Sequence, residues 1–589
     1  MLHEIKGTTA WCPAFGLLLS LVAVTLPWSV KAQEEVPESC NEGRQAMKAG
    51  AYSDGIELYA DCLSHDRLGD DMRFEAHFQS GYALASLERY ENAVEHLEEA
   101  VRLAPDFFPA TLSLGTALGG LGEYEGGIEV FDSYARRYPV QDEGLFAAMS
   151  GWLKNNAGRY QEAVNDLGKA IAIGQEDIFL YLNRSNALAN LGRFEKSYVD
   201  LELAEALEPS NPLVYEQRGF NLRLQGRNAE AIAQFDQALD HDPFSTFALL
   251  ERGRAKTYTD DLDGAIADFS RVAELDPGEA WAYADRAQAL TLTGEPEQAM
   301  RDLKRALELS PDNTNALILH GELLNNLGRS QEARQELEKA LAIDPTNSYG
   351  SHELARAFYG LGFWDESLAA YDRAFQLDPT NGNHLGGRAY VRLRLGNAMA
   401  ALKDYDNVVA NFPDSQGWQL YRAHALAWMG RITDAREAIE QAFAAIREED
   451  AAVWRNEICW ELLLQARTAL AEPHCKRAVA LGNDAPSHDS LAFLHWQLGR
   501  TAQAEAHLAK AFEISGGESF FKPDRRLGDF PRVLAQGLLM YLGYRPDEPD
   551  TADTQKTRKA IETFQRDHRL PADGLVSERL LAALKAARP

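Results

Sequence analysis

The stretch PSNPLVYEQRGFNLRLQGRNAEAIAQFDQALDHDP, Pro209 to Pro243, holds one complete structural unit and decides the fold. A first helix closes between Gly219 and Gly226, because glycine tolerates the left-handed conformation that ends a helix. A second helix begins near Asn228 and sets Ala231, Phe235, Ala238 and Leu239 at the i, i+4, i+7, i+8 spacing of a buried stripe. Asp242-Pro243 stops it, since proline cannot continue a helix and pushes the preceding residue towards an extended conformation. The small residues Gly219, Ala231 and Ala238 mark where two helix backbones approach most closely.

The unit recurs. Pro209, Pro243, Pro277, Pro311, Pro345, Pro379 and Pro413 stand at one constant interval. Most are preceded by a turn glycine, as at Gly192, Gly226, Gly294, Gly328, Gly362 and Gly396. Ala299, Leu303 and Ala306, or Ala333, Leu337 and Ala340, repeat the small-large-small pattern of Ala231, Phe235 and Ala238. One hairpin cannot cover its own apolar face, so neighbours must stack. These positions, recurring together, resemble the tetratricopeptide repeat. Degenerate copies extend the array at both ends, from Gly50, Tyr52 and Tyr59 to Gly499, Ala504 and Ala511. The expected fold is therefore all-α: an α-α superhelical solenoid of about fourteen helical hairpins over residues 33–515.

The resemblance implies that first helices line an inner groove taking extended segments or helices of protein partners. By repeat position the groove candidates are Glu216, Phe220, Arg223, Tyr283, Asn315, Asn325, Asn326, Tyr349, His352 and Tyr359. Each could equally be an ordinary solvated residue. The aromatic cluster Tyr349, His352, Phe358, Tyr359, Phe363 and Trp364 must include some core packing.

Ala14 to Leu26 is an apolar run followed by Pro27 and the small-residue site Val30-Lys31-Ala32. This reads as a secretory signal over residues 1–32 with cleavage after Ala32. The run is too short for a membrane span. Its charged start is weak, with Lys6 and His3 offset by Glu4, which leaves a retained anchor as the alternative. Cys12 lacks a lipid-attachment pattern. The expected location is across the inner membrane, in the periplasm, with no membrane span after cleavage.

Across 589 residues, 89 Asp and Glu against 59 Lys and Arg give a net charge of −30. Phosphate backbones need a cationic surface, so nucleic acid is not an expected partner. The charge reads as solvated helix faces, or as attraction of basic partners.

Four cysteines follow the signal, Cys40, Cys62, Cys459 and Cys475, and four allow three pairings. The repeat register favours Cys40 with Cys62 and Cys459 with Cys475, each within one hairpin, over four buried thiols. Cysteines spaced so widely do not suggest a metal site, and no cofactor is expected.

A charge ladder runs through the repeats. Arg184, Arg218, Arg252, Arg286, Arg388 and Arg422 keep the same register as the prolines, as do Asp166, Asp200, Asp268, Asp302, Glu336 and Asp404. Each acid precedes a ladder position by eighteen residues, which suggests inter-repeat pairs Asp166–Arg184, Asp200–Arg218, Asp268–Arg286 and Asp404–Arg422. The alternative is an arginine-lined groove for an acidic ligand.

The beat stops at Ser515, and residues 516–527 read as a linker. Beyond it, residues 528–589 hold three short helices. Leu542-Gly543-Tyr544, Thr557-Arg558-Lys559-Ala560, Phe564-Gln565-Arg566 and Leu570-Pro571-Ala572-Asp573-Gly574 resemble the small three-helix peptidoglycan-binding domain. That resemblance implies a bacterial cell and peptidoglycan as a candidate ligand. It departs from the family pattern at Asp550-Thr551, Thr554, Ser577 and Leu580. From Lys556 onward there are eight Lys or Arg against four Asp or Glu, a basic patch in an acidic chain.

No catalytic constellation stands out. Ser519-Phe520-Phe521-Lys522 fits a Ser-x-x-Lys pattern without its companion motifs, and there is no phosphate loop, nucleophile elbow or His-Glu-x-x-His. The expectation is a non-enzymatic exported scaffold that binds protein partners and is tethered to the wall by its last domain. The alternative is an accessory subunit of envelope secretion or wall-remodelling machinery, whose last domain only docks to protein.

Overall fold

The computed structural model describes residues 36–588 except 67, 175, 413–415, 448–449, 517–519, 521–525, 547–548 and 550–553. The signal segment with its cleavage site, Cys12, Pro413, Ser519, Lys522 and Asp550-Thr551 lie outside the described residues. Among those described, the ordered elements are α-helices and one short 3-10 turn, Arg526–Asp529. The first 28 of the 31 described helices pair into fourteen hairpins, so the chain is an all-α solenoid closed by a small three-helix domain.

The Pro209–Pro243 unit shows how the sequence builds each hairpin. Its first helix is Pro212–Leu224, capped by Asn211, whose side chain accepts from the Leu213 amide. Gly226, at φ +72°, turns the chain, and Asn228–His241 returns along it. Where the turn glycine is replaced, at Asp260, the backbone still takes φ +64°. Ala231, Phe235 and Ala238 are fully buried. Gly219 lies over the Phe235 ring so closely that a Cβ there would come within 2.7 Å of it. Gly253 over Phe269 and Gly321 over Leu337 repeat the fit sixteen residues apart. At Gly219 the missing side chain leaves a socket for the Phe235 ring. Burying a ring such as Phe235 contributes about 1.5–3 kcal/mol.

The chain divides into two compact units, residues 1–309 and 310–589. The first holds eight hairpins, from Glu38–Lys48 with Tyr52–Leu63 to Ala280–Leu292 with Pro296–Leu309. The second holds six, from Thr314–Asn326 with Ser330–Ile343 to Ala485–Gln497 with Thr501–Ile514, followed by Phe530–Tyr541, Gln555–Asp567 and Glu578–Ala587. Cys40–Cys62 and Cys459–Cys475 form disulfides, each joining the two helices of one hairpin.

The charge ladder is real but its register differs from the expected one. Arg184 meets Asp200 through two bonds of 2.8 and 2.6 Å, and Arg252–Asp268, Arg286–Asp302 and Arg388–Asp404 repeat that bidentate geometry. The spacing is sixteen residues within one hairpin, not eighteen between neighbours. Across the tight turn, residues sixteen apart stand level, the same relation that puts Gly219 over Phe235. Arg218 has Gln234 at that place and reaches Glu205 instead; Arg422 has Ala438 there and reaches back to Asp406. Asp166 is held by Lys154 and Ser150 rather than Arg184. Arg252 and Arg388 also reach Asp236 and Asp372 on the preceding hairpin. With their guanidinium groups engaged in this way, these arginines form structural pairs and not an open site for an acidic ligand.

Candidate interaction surface on the first helices

First helices of neighbouring hairpins meet through pairs whose spacing falls short of a full repeat. Asn186 with Gln217 sits about one helical turn short of it, and Asn155 with Asn183 nearly two turns short. In the first unit these pairs are polar. Asn155 donates to Asn183 and Asn186 to Gln217, while Arg223 pairs with Glu251 and Arg254 with Asp285. Glu251 is fully buried between Arg223 and Arg254, which together more than offset the burial that would push its carboxyl up. Glu216, beside this row, accepts from the Ser245 hydroxyl at 2.6 Å, and burial pushes its carboxyl up to about 7.

In the second unit the corresponding row becomes aromatic. Tyr359 and Tyr390 lie 5.4 Å apart between ring centroids, as do Tyr390 and Tyr421, and Tyr421 continues to Trp454. Upstream, Tyr349 stacks on His352, whose Nδ1 is 3.1 Å from that of His384. Burial and the His384 ring lower the His352 pKa to about 3, and burial lowers that of His384 as well.

The groove candidates therefore divide. Glu216 and Phe220 are 3% and 2% exposed and offer no surface, because neighbouring first helices close over them. Arg223 is tied to Glu251 and lies beside the Phe220 ring, and the Arg286 guanidinium covers the Tyr283 ring. Asn315 is half-buried near the start of its helix. Asn325 donates to the Glu353 carbonyl at 2.9 Å, and Asn326 accepts from Arg356 at 2.8 Å. Tyr349, 41% exposed, is the most open of the aromatic candidates. Asn325, Asn326, Tyr349, His352 and Tyr359 thus share one region of the second unit. The pairs between first helices were not anticipated, because their chemistry changes from hairpin to hairpin while the repeat signal follows constant residues.

The three-helix domain explains its own motifs. Thr554 caps Gln555–Asp567 by accepting from the Thr557 amide, and Ser577 caps Glu578–Ala587 by accepting from the Leu580 amide. Thr554 and Ser577, two of the departures from the family pattern, are thus helix caps. Gln565 donates to Asp573 at 2.7 Å and accepts from the Gly574 amide at 3.0 Å, with Gly574 at φ +68°.

This domain is packed onto the repeats. Helix Phe530–Tyr541 lies against the first helices Gly382–Arg394, Gln416–Trp428, Ala451–Leu464 and Ala485–Gln497, sharing their hydrophobic core. Phe530 meets Phe493 and Trp496, Gly537 rests on Leu464, and Tyr541 stacks on Trp428 at 4.9 Å. At the centre the Arg394 guanidinium donates to Glu461 at 2.6 Å, and the Tyr541 hydroxyl donates to the other Glu461 oxygen. Burial pushes the Glu461 carboxyl up, but Arg394 and its neighbours more than offset this and hold it below the usual range. Around this centre Arg545 pairs with Asp365, Arg588 donates to the Gln465 and Ala466 carbonyls, and Lys556 lies over the Trp364 ring. Most of the expected linker is outside the described residues, but Phe520 is anchored, its amide on Asp489 and its ring edge on Trp460.

Residues 74–107, 222–280, 293–356, 352–416 and 387–451 match tetratricopeptide repeat families. The chain carries tetratricopeptide repeats. Residues 531–584 match the putative peptidoglycan binding domain. Among solved structures the repeat protein resembles yeast Tom70, at 16% identity over 69% of this chain and 95% of that one with a TM-score of 0.35. It also resembles an APC/C hetero-tetramer of Cut9 and Hcn1, at 15% identity over 75% and 94% with a TM-score of 0.46. A human IFIT1 dimer with m7Gppp-AAAA matches at 15% identity over 67% and 95% with a TM-score of 0.42. No curated protein matches this chain. Among the described residues no helix is long and apolar enough to cross a membrane.

Proposed function

We propose that this tetratricopeptide repeat protein is an exported, non-enzymatic scaffold that binds protein partners on its first helices and associates with peptidoglycan through residues 531–584. The observation that carries the first part is the row of first helices itself. In the second unit it presents Tyr349, Asn326 and the half-buried Tyr359–Tyr390–Tyr421 series on an internally paired floor. Two disulfides and the match of the last domain support an extracytoplasmic setting, in keeping with the signal expected over residues 1–32. The Gln565–Asp573–Gly574 clamp supports a domain that keeps the family's fold.

A second reading has its own support. The last domain is seated on the repeats through Arg394, Glu461 and Tyr541, as an accessory subunit with a purely docking domain would have it. Co-sedimentation of the full chain with purified peptidoglycan separates the two. Retention that survives 0.5 M salt supports wall association; a chain left in the supernatant at low salt supports the docking reading.

A further inference from the structure

The helix Phe530–Tyr541 is buried on nearly all sides. Ten of its twelve residues are buried, including Phe530, Leu534, Gly537, Leu538 and Tyr541. A helix of a free-standing three-helix domain keeps one face in water, whereas this one is covered by its own domain and by the repeats together. It lies on the same row of first helices that the scaffold reading assigns to partners, further along at Trp428, Leu464, Phe493 and Trp496. We infer that this surface is a helix-accepting groove, that the chain fills it with its own helix, and that a partner helix of the same chemistry competes with the C-terminal domain for it.

The contacts define what the groove accepts. Phe530 packs against the stacked pair Phe493 and Trp496. Seven residues on, Gly537 lies so close to Leu464 that a Cβ would come within 2.9 Å of it, so only a small residue fits there. One turn further, Tyr541 stacks on Trp428 and delivers its hydroxyl to Glu461, while the Arg394 guanidinium also touches the Met540 sulfur at 3.4 Å. Large aromatic, small residue at +7 and tyrosine at +11 is the i, i+7, i+11 face of a single helix laid into a groove. The Arg394–Glu461 pair, 4% and 3% exposed, specifies a hydroxyl at the last position, since a phenylalanine would leave a buried carboxylate oxygen without its donor. The turns add a close fit, with a Cβ on Gly396 falling 2.9 Å from the Gly543 backbone. A site already filled by a tethered ligand shows a partner only the fraction of time it is open, which weakens apparent affinity by that fraction.

The inference rests on the scaffold reading of the first-helix surface, and its test is separate from peptidoglycan sedimentation. The probe is a fluorescein-labelled peptide of residues 527–546, titrated into the full chain and into full-length Gly537→Trp, whose bulk cannot sit on Leu464. The expected result is at least tenfold tighter binding to Gly537→Trp, together with faster amide exchange at Leu462–Leu464. Adding Glu461→Gln should then weaken the peptide about fivefold. Equal binding to both chains, failure of an exchange-exposed Gly537→Trp chain to take the peptide, or unchanged exchange in that variant would each overturn the inference. Loss of the peptide effect with peptidoglycan retention intact would leave the wall reading standing and remove only the groove.

Discussion

Arg394 and Glu461, 67 residues apart in the chain, form an ion pair at 2.6 Å that is almost completely withdrawn from water. Each of the two is costly to bury alone, and together with the Tyr541 hydroxyl they satisfy one another across the seam between repeats and C-terminal domain. Glu461→Ala leaves the Arg394 charge uncompensated and is expected to destabilise the second unit by about 3–5 kcal/mol. Tyr541→Phe removes one donor and should cost about 1–3 kcal/mol. Urea unfolding followed by tryptophan fluorescence measures both, since Trp428 stacks on Tyr541. Equal and negligible effects would mean the pair is not holding the seam.

The sixteen-residue register of the charge ladder is open to a double-mutant cycle. Arg184→Ala, Asp200→Ala and the double variant should show a coupling of roughly 1–2 kcal/mol, because the pair is bidentate and Asp200 is 2% exposed. The same cycle on Asp200 and Arg218 should give coupling near zero, since Arg218 is engaged with Glu205. The reverse pattern would restore the inter-repeat register.

Gly219→Ala tests the socket over Phe235. A methyl group placed 2.7 Å from the ring forces it aside, and overpacking of this kind costs about 1–3 kcal/mol. Gly226→Ala, where nothing lies within 4 Å but φ is +72°, should cost about 1 kcal/mol through backbone strain alone. Thermal melts rank the two; a larger loss at Gly226 would mean that the turn, rather than the socket, limits the hairpin.

The buried carboxyl of Glu216 gives a pH-dependent prediction. Its folded pKa, about 7, lies above the unfolded value, so folding takes up a proton between pH 4.5 and 7. Stability is therefore greatest below the unfolded value and falls as pH rises towards 7, by up to roughly 3 kcal/mol. Glu216→Gln removes the titration. The variant should match the parent near pH 4.5 and exceed its melting temperature at pH 8, and a gain that is the same at both values would exclude ionisation of Glu216 as the cause.

Removing the Cys459–Cys475 disulfide by a double serine substitution frees a loop of sixteen residues' separation and is expected to cost about 3 kcal/mol. Because Cys459 shares its helix with Glu461 and Leu464, exchange protection of the docked Phe530–Tyr541 helix should fall with it. Unaltered protection would show that the seam does not depend on that staple.

Much of this molecule was legible in its residues. Period, turn glycines and stop prolines specify the hairpins because they act locally, within one unit. The cysteine pairing followed from the same register. The ladder was read two residues out, since helical position alone does not say which of two neighbouring helices an arginine leans towards. The rows of pairs between first helices escaped because no residue type is kept from one pair to the next. The seam escaped because Arg394, Glu461 and Tyr541 are distant in sequence and ordinary in context. One signal did point to it: FPRVLAQGLLMY, residues 530–541, has only Arg532 and Gln536 as polar side chains besides Tyr541, few for a helix with one wet face.

The two cystine links belong to the first hairpin and the thirteenth, and the C-terminal helix Phe530–Tyr541 packs on the eleventh to the fourteenth. A linear array usually frays inwards from its extremities, where each hairpin has a neighbour on one side only. Here both extremities are fastened, so under heat or tension the first breach should open among the unstapled middle hairpins, leaving two closed ends from which the array can rewind.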